Sequence, residues 1–216
     1  NICIKSMYSH LASSEESKHD KFTQVQIETL LKVKQETQDL LISNTHMFNS
    51  SGSLRFLNKK DKNQVIRLGI SLYGGIQHDD VSQISELKCT VNQIRTIHAG
   101  EHVGYNLEYT ATKSMKIGII SLGYADGLQR SWGNGVLKFY YNGQLTPTIG
   151  NISMDSCIID LSNLNNIREG DDVIYFGLER PIWILAQELN TIPYEIISSL
   201  SQRIKRIYVS NNEKSS

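Results

Sequence analysis

The sequence predicts an α/β unit that ends near residue 80 and is followed by a mostly β domain. Up to that point, short apolar segments alternate with a long helical segment, as in parallel strands joined by crossover helices. A polar connector over residues 77–80 follows, and beyond it short apolar runs are separated by turn residues. We therefore predict one domain over residues 1–80 and a second over residues 81–216.

The first domain contains five segments with a recognisable pattern. Residues 2–8 and 42–46 are β-compatible and flank residues 20–41, where apolar residues recur at the spacing of an amphipathic helix. Asn49-Ser50-Ser51-Gly52-Ser53 opens a brief second helix, and residues 65–70 are predicted to form another strand that ends in a glycine loop. This alternation favours parallel pairing of the strands.

The second domain contains six apolar runs that predict short strands. Asn142-Gly143 lies between two of them and is the strongest short-range signal for a hairpin. Two helices are expected after the strands, with Pro193 in the first turn of the second, where a missing N–H costs least. Residues 210–216 form a polar tail that we expect to be frayed. The predicted strands cover residues 91–97, 117–122, 136–141, 144–149, 157–161 and 173–176, and the helices residues 182–189 and 193–200.

Composition and charge exclude several classes of protein. The 216 residues carry 22 basic and 22 acidic side chains, so no electrostatic footprint indicates nucleic acid or an anionic membrane as a partner. No apolar run approaches the length of a membrane-spanning helix. Cys3, Cys89 and Cys157 are scattered without CxxC spacing, so we expect neither a disulfide framework nor a metal site, and a cytoplasmic location.

Three segments offer groups that bind anions. Ser50 opens a helix with free N–H groups, Gly69 and Ile70 offer backbone amides beside Arg67, and Tyr194 places a hydroxyl at another helix start. Helix N-termini attract phosphates because their orphan N–H groups and the helix dipole favour negative charge. Each also has a purely structural interpretation: a helix cap for Ser50, a surface or paired residue for Arg67, and a ring packed on the core for Tyr194. Their combination favours a site.

Tyr105 is the candidate for acid/base chemistry. It follows Gly104 in a β-rich segment, and a second tyrosine, Tyr124, stands between Gly123 and Ala125-Asp126-Gly127. This setting suits a positioned phenol, so our hypothesis is that Tyr105 is a catalytic acid/base. The alternative is a tyrosine in the core or at the edge of the β domain.

Taken together, several motifs in this order resemble the pyridoxal-phosphate-dependent alanine racemases over nearly the whole chain. Their number and spacing make a chance match improbable. The motifs are Tyr8-Ser9-His10-Leu11-Ala12, Asn49-Ser50, Arg67-Leu68-Gly69-Ile70-Ser71-Leu72-Tyr73-Gly74, Gly104-Tyr105 with Tyr109-Thr110-Ala111, Gly123-Tyr124-Ala125-Asp126-Gly127, Gly150-Asn151-Ile152-Ser153-Met154-Asp155 and Thr191-Ile192-Pro193-Tyr194-Glu195.

The resemblance implies a fold, a cofactor and a partner. The expected fold is the C-terminal part of a (β/α)8 TIM-like barrel, followed by a β-barrel-like C-terminal domain. The expected assembly is a head-to-tail homodimer with shared active sites. Pyridoxal phosphate would be bound as a Schiff base on a lysine, and alanine would be the substrate.

The resemblance also implies roles for residues of the second domain. Tyr105 would take the proton from L-alanine in the partner's site and return it in the reverse direction. Met154 would place its backbone near the substrate carboxylate, also in the partner's site. Tyr124 would line the substrate entrance.

Residues around the cofactor follow from the same resemblance. Arg67 would face the pyridine nitrogen, and His10 would link Arg67 to the catalytic phenol. The cofactor phosphate would be held by Ser50, Gly69, Ile70 and Tyr194.

The sequence departs from the family at two points. No segment matches the family's lysine motif, and Asn151 stands where the family usually has arginine. Because the chain also enters its first β-compatible segment directly at Ile2, we expect it to be a fragment that is inactive or nearly so alone. A racemase for serine or another small amino acid, and a non-catalytic cofactor-binding or dimerisation fragment, remain as alternatives.

Overall fold

A computed structural model of the chain describes residues 3–58 and 64–209. The chain divides into two compact units, Asn1–Ser82 and Gln83–Ser216. The predicted polar tail over residues 210–216 lies outside the described residues. None of the helices described is both long and apolar enough to span a bilayer.

The first unit is a strand–helix–strand arrangement with a short second helix. Strand β1 (Ser6–Tyr8) pairs in parallel with β2 (Asn44–His46), so that Tyr8 lies opposite His46. Helix α1 (Asp20–Glu36) connects the two strands. Leu30 of α1 packs against Leu11, Met47 and Phe48 in a small core. The predicted parallel alternation is therefore present.

Helix α1 ends five residues before the predicted boundary at residue 41. The Thr37 N–H and hydroxyl both donate to the Val33 carbonyl, at 3.0 and 2.8 Å. A 3-10 turn over Gln38–Leu40 follows, and Leu41 adopts a left-handed backbone with φ of 50°. The apolar pattern continues through Leu40 and Leu41, but the backbone has already left the α-helical path.

Helix α2 (Ser50–Phe56) begins as predicted, with the Asn49 side chain accepting a hydrogen bond from Gly52 N–H. The strand predicted over residues 65–70 is wrong. Residues 64–69 form no strand, and the chain turns into a 3-10 helix over Ile70–Tyr73. The Gly69 N–H, which a sheet ladder would use, donates instead to the Ser50 hydroxyl at 2.9 Å.

The second unit is a closed barrel of six antiparallel strands, and it confirms the predicted β-barrel-like domain. The barrel strands are β3 (Leu87–Ile97), β6 (Met115–Ile120), β7 (Lys138–Tyr141), β8 (Gln144–Ile149), β9 (Cys157–Asp160) and β10 (Asp172–Phe176). Their order around the barrel is β10-β3-β6-β9-β8-β7. A separate ribbon consists of β4 (His102–Val103) and β5 (Tyr109–Thr110).

Alternating side chains of the strands fill the barrel, including Val91, Phe139, Ile159 and Tyr175, which are fully buried. The hairpin between β7 and β8 turns at Asn142 and Gly143, whose φ values are 44° and 87°. Two consecutive positive φ values are those of a type I′ turn, which matches the right-handed twist of the flanking strands.

Two short helices pack on the barrel core. Helix α3 (Ile182–Glu188) buries Ile182 and Leu185, and α4 (Pro193–Ser199) buries Ile196. Pro193 is the first residue of α4, as predicted, and Tyr194 is the second.

Candidate active site

In the first unit, Arg67 is held by neutral acceptors at the ends of the two parallel strands. Nη1 donates to His46 O at 3.0 Å and lies 3.0 Å from His46 Nδ1. Nη2 donates to Ser9 O at 2.8 Å and lies 3.2 Å from His10 Nδ1. The guanidinium also lies over the Tyr8 ring, 5.6 Å from its centre, and that ring stacks on His46. Arg67 is thus positioned by backbone, imidazole and aromatic groups together.

The charge of Arg67 is not neutralised by a carboxylate among the residues that the structure describes. Within the same residues, its Nε–H has no hydrogen-bond acceptor. A guanidinium cannot accept a hydrogen bond, so the nearby Nδ1 of His10 acts as acceptor. The neutral His10 ring then carries its proton on Nε2, which leaves Nε2–H as a donor.

Ser50 gathers the second group of predicted site residues. Its side chain is buried, with 1% exposed, and its Oγ accepts hydrogen bonds from Gly69 N–H at 2.9 Å and Ser71 N–H at 3.4 Å. The Ser71 hydroxyl lies 3.0 Å from the same oxygen. Ile70 lies between these two residues and is buried at the start of the 3-10 helix. The structure therefore brings Ser50, Gly69 and Ile70 together.

These residues fit the chemistry of pyridoxal phosphate. Ser50 Oγ accepts from the Gly69 and Ser71 amides and keeps its own O–H, which is a neutral donor of the kind from which a phosphate accepts hydrogen bonds. The Nε–H of Arg67 offers a donor that cannot lose its proton, which suits the lone pair of a pyridine nitrogen.

In the second unit, Tyr105 lies on a loop between β4 and β5. Its side chain is 70% exposed, which excludes the core alternative. Gly104 before it has φ of 80° and ψ of 179°, a conformation that only glycine adopts readily. Asn106 and Leu107 after it also have positive φ, 62° and 53°. The loop thus turns the phenol away from the barrel core.

Tyr124 and Met154 lie on two loop segments that run side by side. Tyr124 N–H donates to Ser153 O, and Ala125 N–H donates to Met154 O, both at 3.0 Å. A Cβ on Gly123 would lie only 2.3 Å from Met154 O, so glycine permits this close approach. The Met154 N–H has no acceptor among the described residues. A backbone donor therefore remains available beside Tyr124.

Asn151 joins the Tyr105 loop to the Met154 segment through a hydrogen bond from its Nδ2 to Tyr105 O, at 3.4 Å. Tyr194 lies on α4 and is partly exposed. The side chain of its neighbour Glu195 accepts a hydrogen bond from the Gln129 side chain at 3.0 Å and another from the Thr191 hydroxyl. The structure thus places the predicted residues of the second unit on exposed segments around one network of loops.

Sequence reasoning missed two residues that position the predicted site residues. The strand register identifies His46. At the end of β2 it lies opposite Tyr8, which ends β1 and begins the motif that contains His10. Arg203 had no sequence signal, because its partners Asp126 and Asp155 are 77 and 48 residues away. The hydrogen bond to Asp126, and to a smaller extent the one to Asp155, raises the pKa of Arg203 above its usual range.

His98 and His102 stand four residues apart, a spacing that metal ligands also use. Nevertheless, no group of three or more potential metal ligands forms within residues 3–58 and 64–209.

Comparison with known proteins gives consistent matches for both units. The family model of the alanine racemase N-terminal domain matches residues 1–77, and that of the C-terminal domain matches residues 84–208. Alanine racemase of Helicobacter pylori strain P12 is 37% identical over 178 residues, which are 76% of this chain and 47% of that protein. Alanine racemase of Helicobacter pylori strain J99 is 32% identical over 221 residues, a match that covers 95% of this chain and 58% of that protein.

A solved structure matches as well. The crystal structure of alanine racemase from Bartonella henselae with covalently bound pyridoxal phosphate has a TM-score of 0.82 and 34% sequence identity. The match covers 95% of this chain and 57% of that chain. An α/β unit followed by an antiparallel β-barrel domain, each matched by its own family model, is therefore the class of two-domain protein that this chain resembles.

The C-terminal-domain model alone covers more than half of the 216 residues. This chain belongs to the alanine racemase family. It spans about half the length of the relatives it matches, between 47% and 58% of each.

Proposed function

We propose that this chain contributes to an enzyme that interconverts L-alanine and D-alanine with pyridoxal phosphate as cofactor. The D-alanine would supply peptidoglycan synthesis, in the cytoplasm. The active form would be a homodimer in which each protomer serves its partner's site. The observation that carries the proposal is the arrangement around Arg67, a cation held only by neutral groups within the described residues, next to the Ser50 cluster.

Arg67 would set the electronic character of the cofactor. When bound, pyridoxal phosphate supplies a conjugated ring that accepts electron density from the substrate α-carbon. Because a guanidinium keeps its proton, Arg67 would leave the pyridine nitrogen unprotonated and weaken this electron sink. Weak stabilisation favours rapid return of a proton to the α-carbon, which suits racemisation and limits side reactions.

Four residues would hold the cofactor phosphate. Ser50, Gly69 and Ile70 are proposed to do so, Ser50 through its own hydroxyl and Gly69 through an amide that donates to Ser50 Oγ in the structure. Tyr194 is proposed to add its hydroxyl. None of these groups carries a charge, so they would bind the phosphate through hydrogen bonds and the local dipole.

Tyr105 would be the acid/base on the L-face of the substrate. A phenol has a pKa near ~10 in water, so it needs nearby positive charge to act as a base at neutral pH. In the proposed dimer, His10 would supply that link through Nε2–H, with Arg67 behind it at 3.2 Å from His10 Nδ1. The Met154 backbone N–H would bind the substrate carboxylate, and Tyr124 would line the entrance.

A second base on the opposite face is needed for inversion. In the family this is a lysine, and no segment of the 216 residues matches its motif. We therefore expect the chain alone to retain no visible absorbance once unbound pyridoxal phosphate has been removed, and to show no racemisation. A strong band and turnover from the chain alone would contradict this expectation.

The acid/base role of Tyr105 is tested in a hybrid that joins the N-terminal part of the Helicobacter pylori J99 racemase to this chain. Tyr105→Phe is expected to lower the rate of proton abstraction from L-alanine by about 10²–10⁴-fold. The visible absorbance of the bound cofactor should be retained, because Tyr105 is not among the residues proposed to hold the cofactor.

Tyr208→Phe is the matched control, since Tyr208 is also an exposed tyrosine of the second unit. Near-normal racemisation by the Tyr105→Phe hybrid would overturn the assignment. Faster turnover of L-serine than of L-alanine by the unmodified hybrid would favour the alternative substrate.

A further inference from the structure

We propose that Arg203 is a positioning residue that sets the placement of Tyr124 relative to Met154. Arg203, Asp126 and Asp155 form what we call the Arg203 bridge. The proposal rests on the proposed function for its catalytic meaning, because Tyr124 and Met154 are the residues assigned there to the substrate. Its structural content stands on the contacts of the second unit alone.

The Arg203 bridge connects three segments of the chain. Arg203 Nε donates to Asp126 Oδ1 at 2.7 Å, and Nη2 donates to Asp126 Oδ2 at 3.1 Å. The same Nη2 also donates to Asp155 Oδ1. Asp126 is two residues after Tyr124, and Asp155 directly follows Met154. One guanidinium therefore bonds both the segment that carries Tyr124 and the segment that carries Met154. We call these two the substrate-side segments.

Asp126 makes this link rigid on the Tyr124 side. Its side chain is nearly buried, and its Oδ2 accepts a hydrogen bond from Gly123 N–H at 2.8 Å. Its backbone carbonyl accepts from Ser201 N–H at 3.0 Å, in the segment that carries Arg203. A carboxylate removed from water in this way needs a cation and hydrogen bonds to remain charged. Arg203 supplies the cation.

The two substrate-side segments also contact each other directly. Their direct contacts are the hydrogen bonds from Tyr124 N–H to Ser153 O and from Ala125 N–H to Met154 O, together with the close approach at Gly123. Tyr124 is 43% exposed and Met154 is 54% exposed. Loss of the bridge would therefore let the segments separate on the solvent side.

Arginine suits this position better than lysine. Its planar fork can bond two oxygens of Asp126 and one of Asp155 at the same time, whereas an ammonium is a point charge on a flexible stem. The hydrogen bonds also raise the pKa of Arg203, so its guanidinium stays charged throughout the pH range in which proteins are studied. The bridge thus positions Tyr124 and Met154 without touching the substrate.

Amide hydrogen exchange on the 216-residue chain tests the structural part directly. Arg203→Met is expected to speed exchange at Gly123 and Ala125 by at least about tenfold, because both amides are bonded within the bridged segments. Arg168→Met removes an exposed arginine from the turn before β10 and should leave both rates unchanged. Wild-type rates at both amides in folded Arg203→Met would overturn the proposal.

Asp155→Ala keeps the test decisive if Arg203→Met fails to fold. Asp155 is mostly exposed, so its replacement removes one arm of the bridge while Asp126 keeps its cation. We expect faster exchange at Ala125 and an unchanged rate at Gly123. An unchanged rate at Ala125 would show that the bridge does not hold the Met154 segment, and would overturn the proposal.

Kinetics in the hybrid enzyme test the catalytic part. Arg203→Met should lower kcat/KM for alanine by roughly 10- to 100-fold, mainly through a higher KM, while the cofactor absorbance is retained. Wild-type kcat/KM in that variant would overturn the positioning role. If the unmodified hybrid does not racemise alanine, the proposed function fails, whereas the exchange rates still decide whether the bridge holds the two segments.

Discussion

Around Tyr105 the backbone adopts conformations that most residues avoid. Leu107, a residue without a polar side chain to support it, has φ of 53°, and Asn106 before it has φ of 62°. A left-handed backbone costs about 1–2 kcal/mol for such a residue. The pairing of β4 with β5 holds both ends of the loop. Strain of this kind is often retained at functional sites, which supports the proposed role of Tyr105.

Gly123 shows how one residue can decide the geometry of the substrate-side segments. Gly123→Ala is expected to lower the free energy of unfolding by about 3 kcal/mol, because the new Cβ would lie 2.3 Å from Met154 O and 2.5 Å from Ser153 O. The φ of Gly123 is −137°, which alanine adopts without strain. The loss in free energy of unfolding, measured by urea unfolding, would therefore report on the backbone contact alone.

Gly100→Ala provides the contrasting control. Gly100 has φ of 88° and open space around its Cβ position. Its replacement should cost about 1 kcal/mol, from backbone strain without a clash. If Gly123→Ala were no more destabilising than Gly100→Ala, the close approach of the two segments would be contradicted.

Among single residues, sequence reasoning was most successful where a motif is local. Ser50, Gly69 and Ile70 were expected in one site, and the structure brings them together. Their roles stay predictions, as do those of Tyr105 and Met154. Arg203 could not be found in this way, because a salt bridge across 77 residues depends on the fold and leaves no local pattern.

At the scale of elements, the helices and strands were predicted well where burial and backbone propensity agree. They disagree over residues 65–70, where an apolar run suggested a strand. There the Ser50 hydroxyl captures the amides of Gly69 and Ser71, and the chain turns into a 3-10 helix. A side chain 19 residues upstream therefore decided the local structure.

Ile196 is the fully buried side chain through which helix α4 packs on the barrel core, beside the partly buried Ile197. Ile196 is fully buried, whereas Ile192, just before the helix, is 58% exposed. Ile196→Ala is expected to lower the free energy of unfolding by about 2–5 kcal/mol, from lost burial and the remaining cavity. Ile192→Ala should change it by less than about 0.5 kcal/mol.

Chemical unfolding of the two variants measures this difference. Equal losses in both would mean that α4 does not pack on the barrel core through Ile196. Because Tyr194 lies in the first turn of α4, the same attachment would also position the proposed phosphate ligand.

For the whole molecule, the closed barrel determines the reactivity of its cysteines. Cys89 and Cys157 are buried and reduced, and burial raises the pKa of both thiols. Cys3, in contrast, is exposed. The thiolate is the reactive form of cysteine. The barrel therefore lowers the reactivity of Cys89 and Cys157 in two ways, because it excludes thiol reagents and because burial disfavours the thiolate.

Thiol labelling of the folded chain at pH 8 should therefore modify Cys3 rapidly. The other two cysteines should react at least about a thousandfold more slowly, because they require the barrel to open. In guanidinium chloride all three should react at similar rates, and Cys3→Ser should remove the fast phase. Rapid labelling of Cys157 in the folded chain would contradict closure of the barrel.

The sequence by itself determined the fold class, the order of most elements and the family resemblance. These depend on local properties: apolar periodicity, turn residues such as Asn142-Gly143, and short motifs that a chain carries wherever it folds. Only the tertiary structure decided the neutral surroundings of Arg67, the capture of Gly69 by Ser50, and the Arg203 bridge behind Tyr124 and Met154. The physical reason is that hydrogen bonds and ion pairs act over a few ångströms, and only folding brings residues distant in sequence within that range.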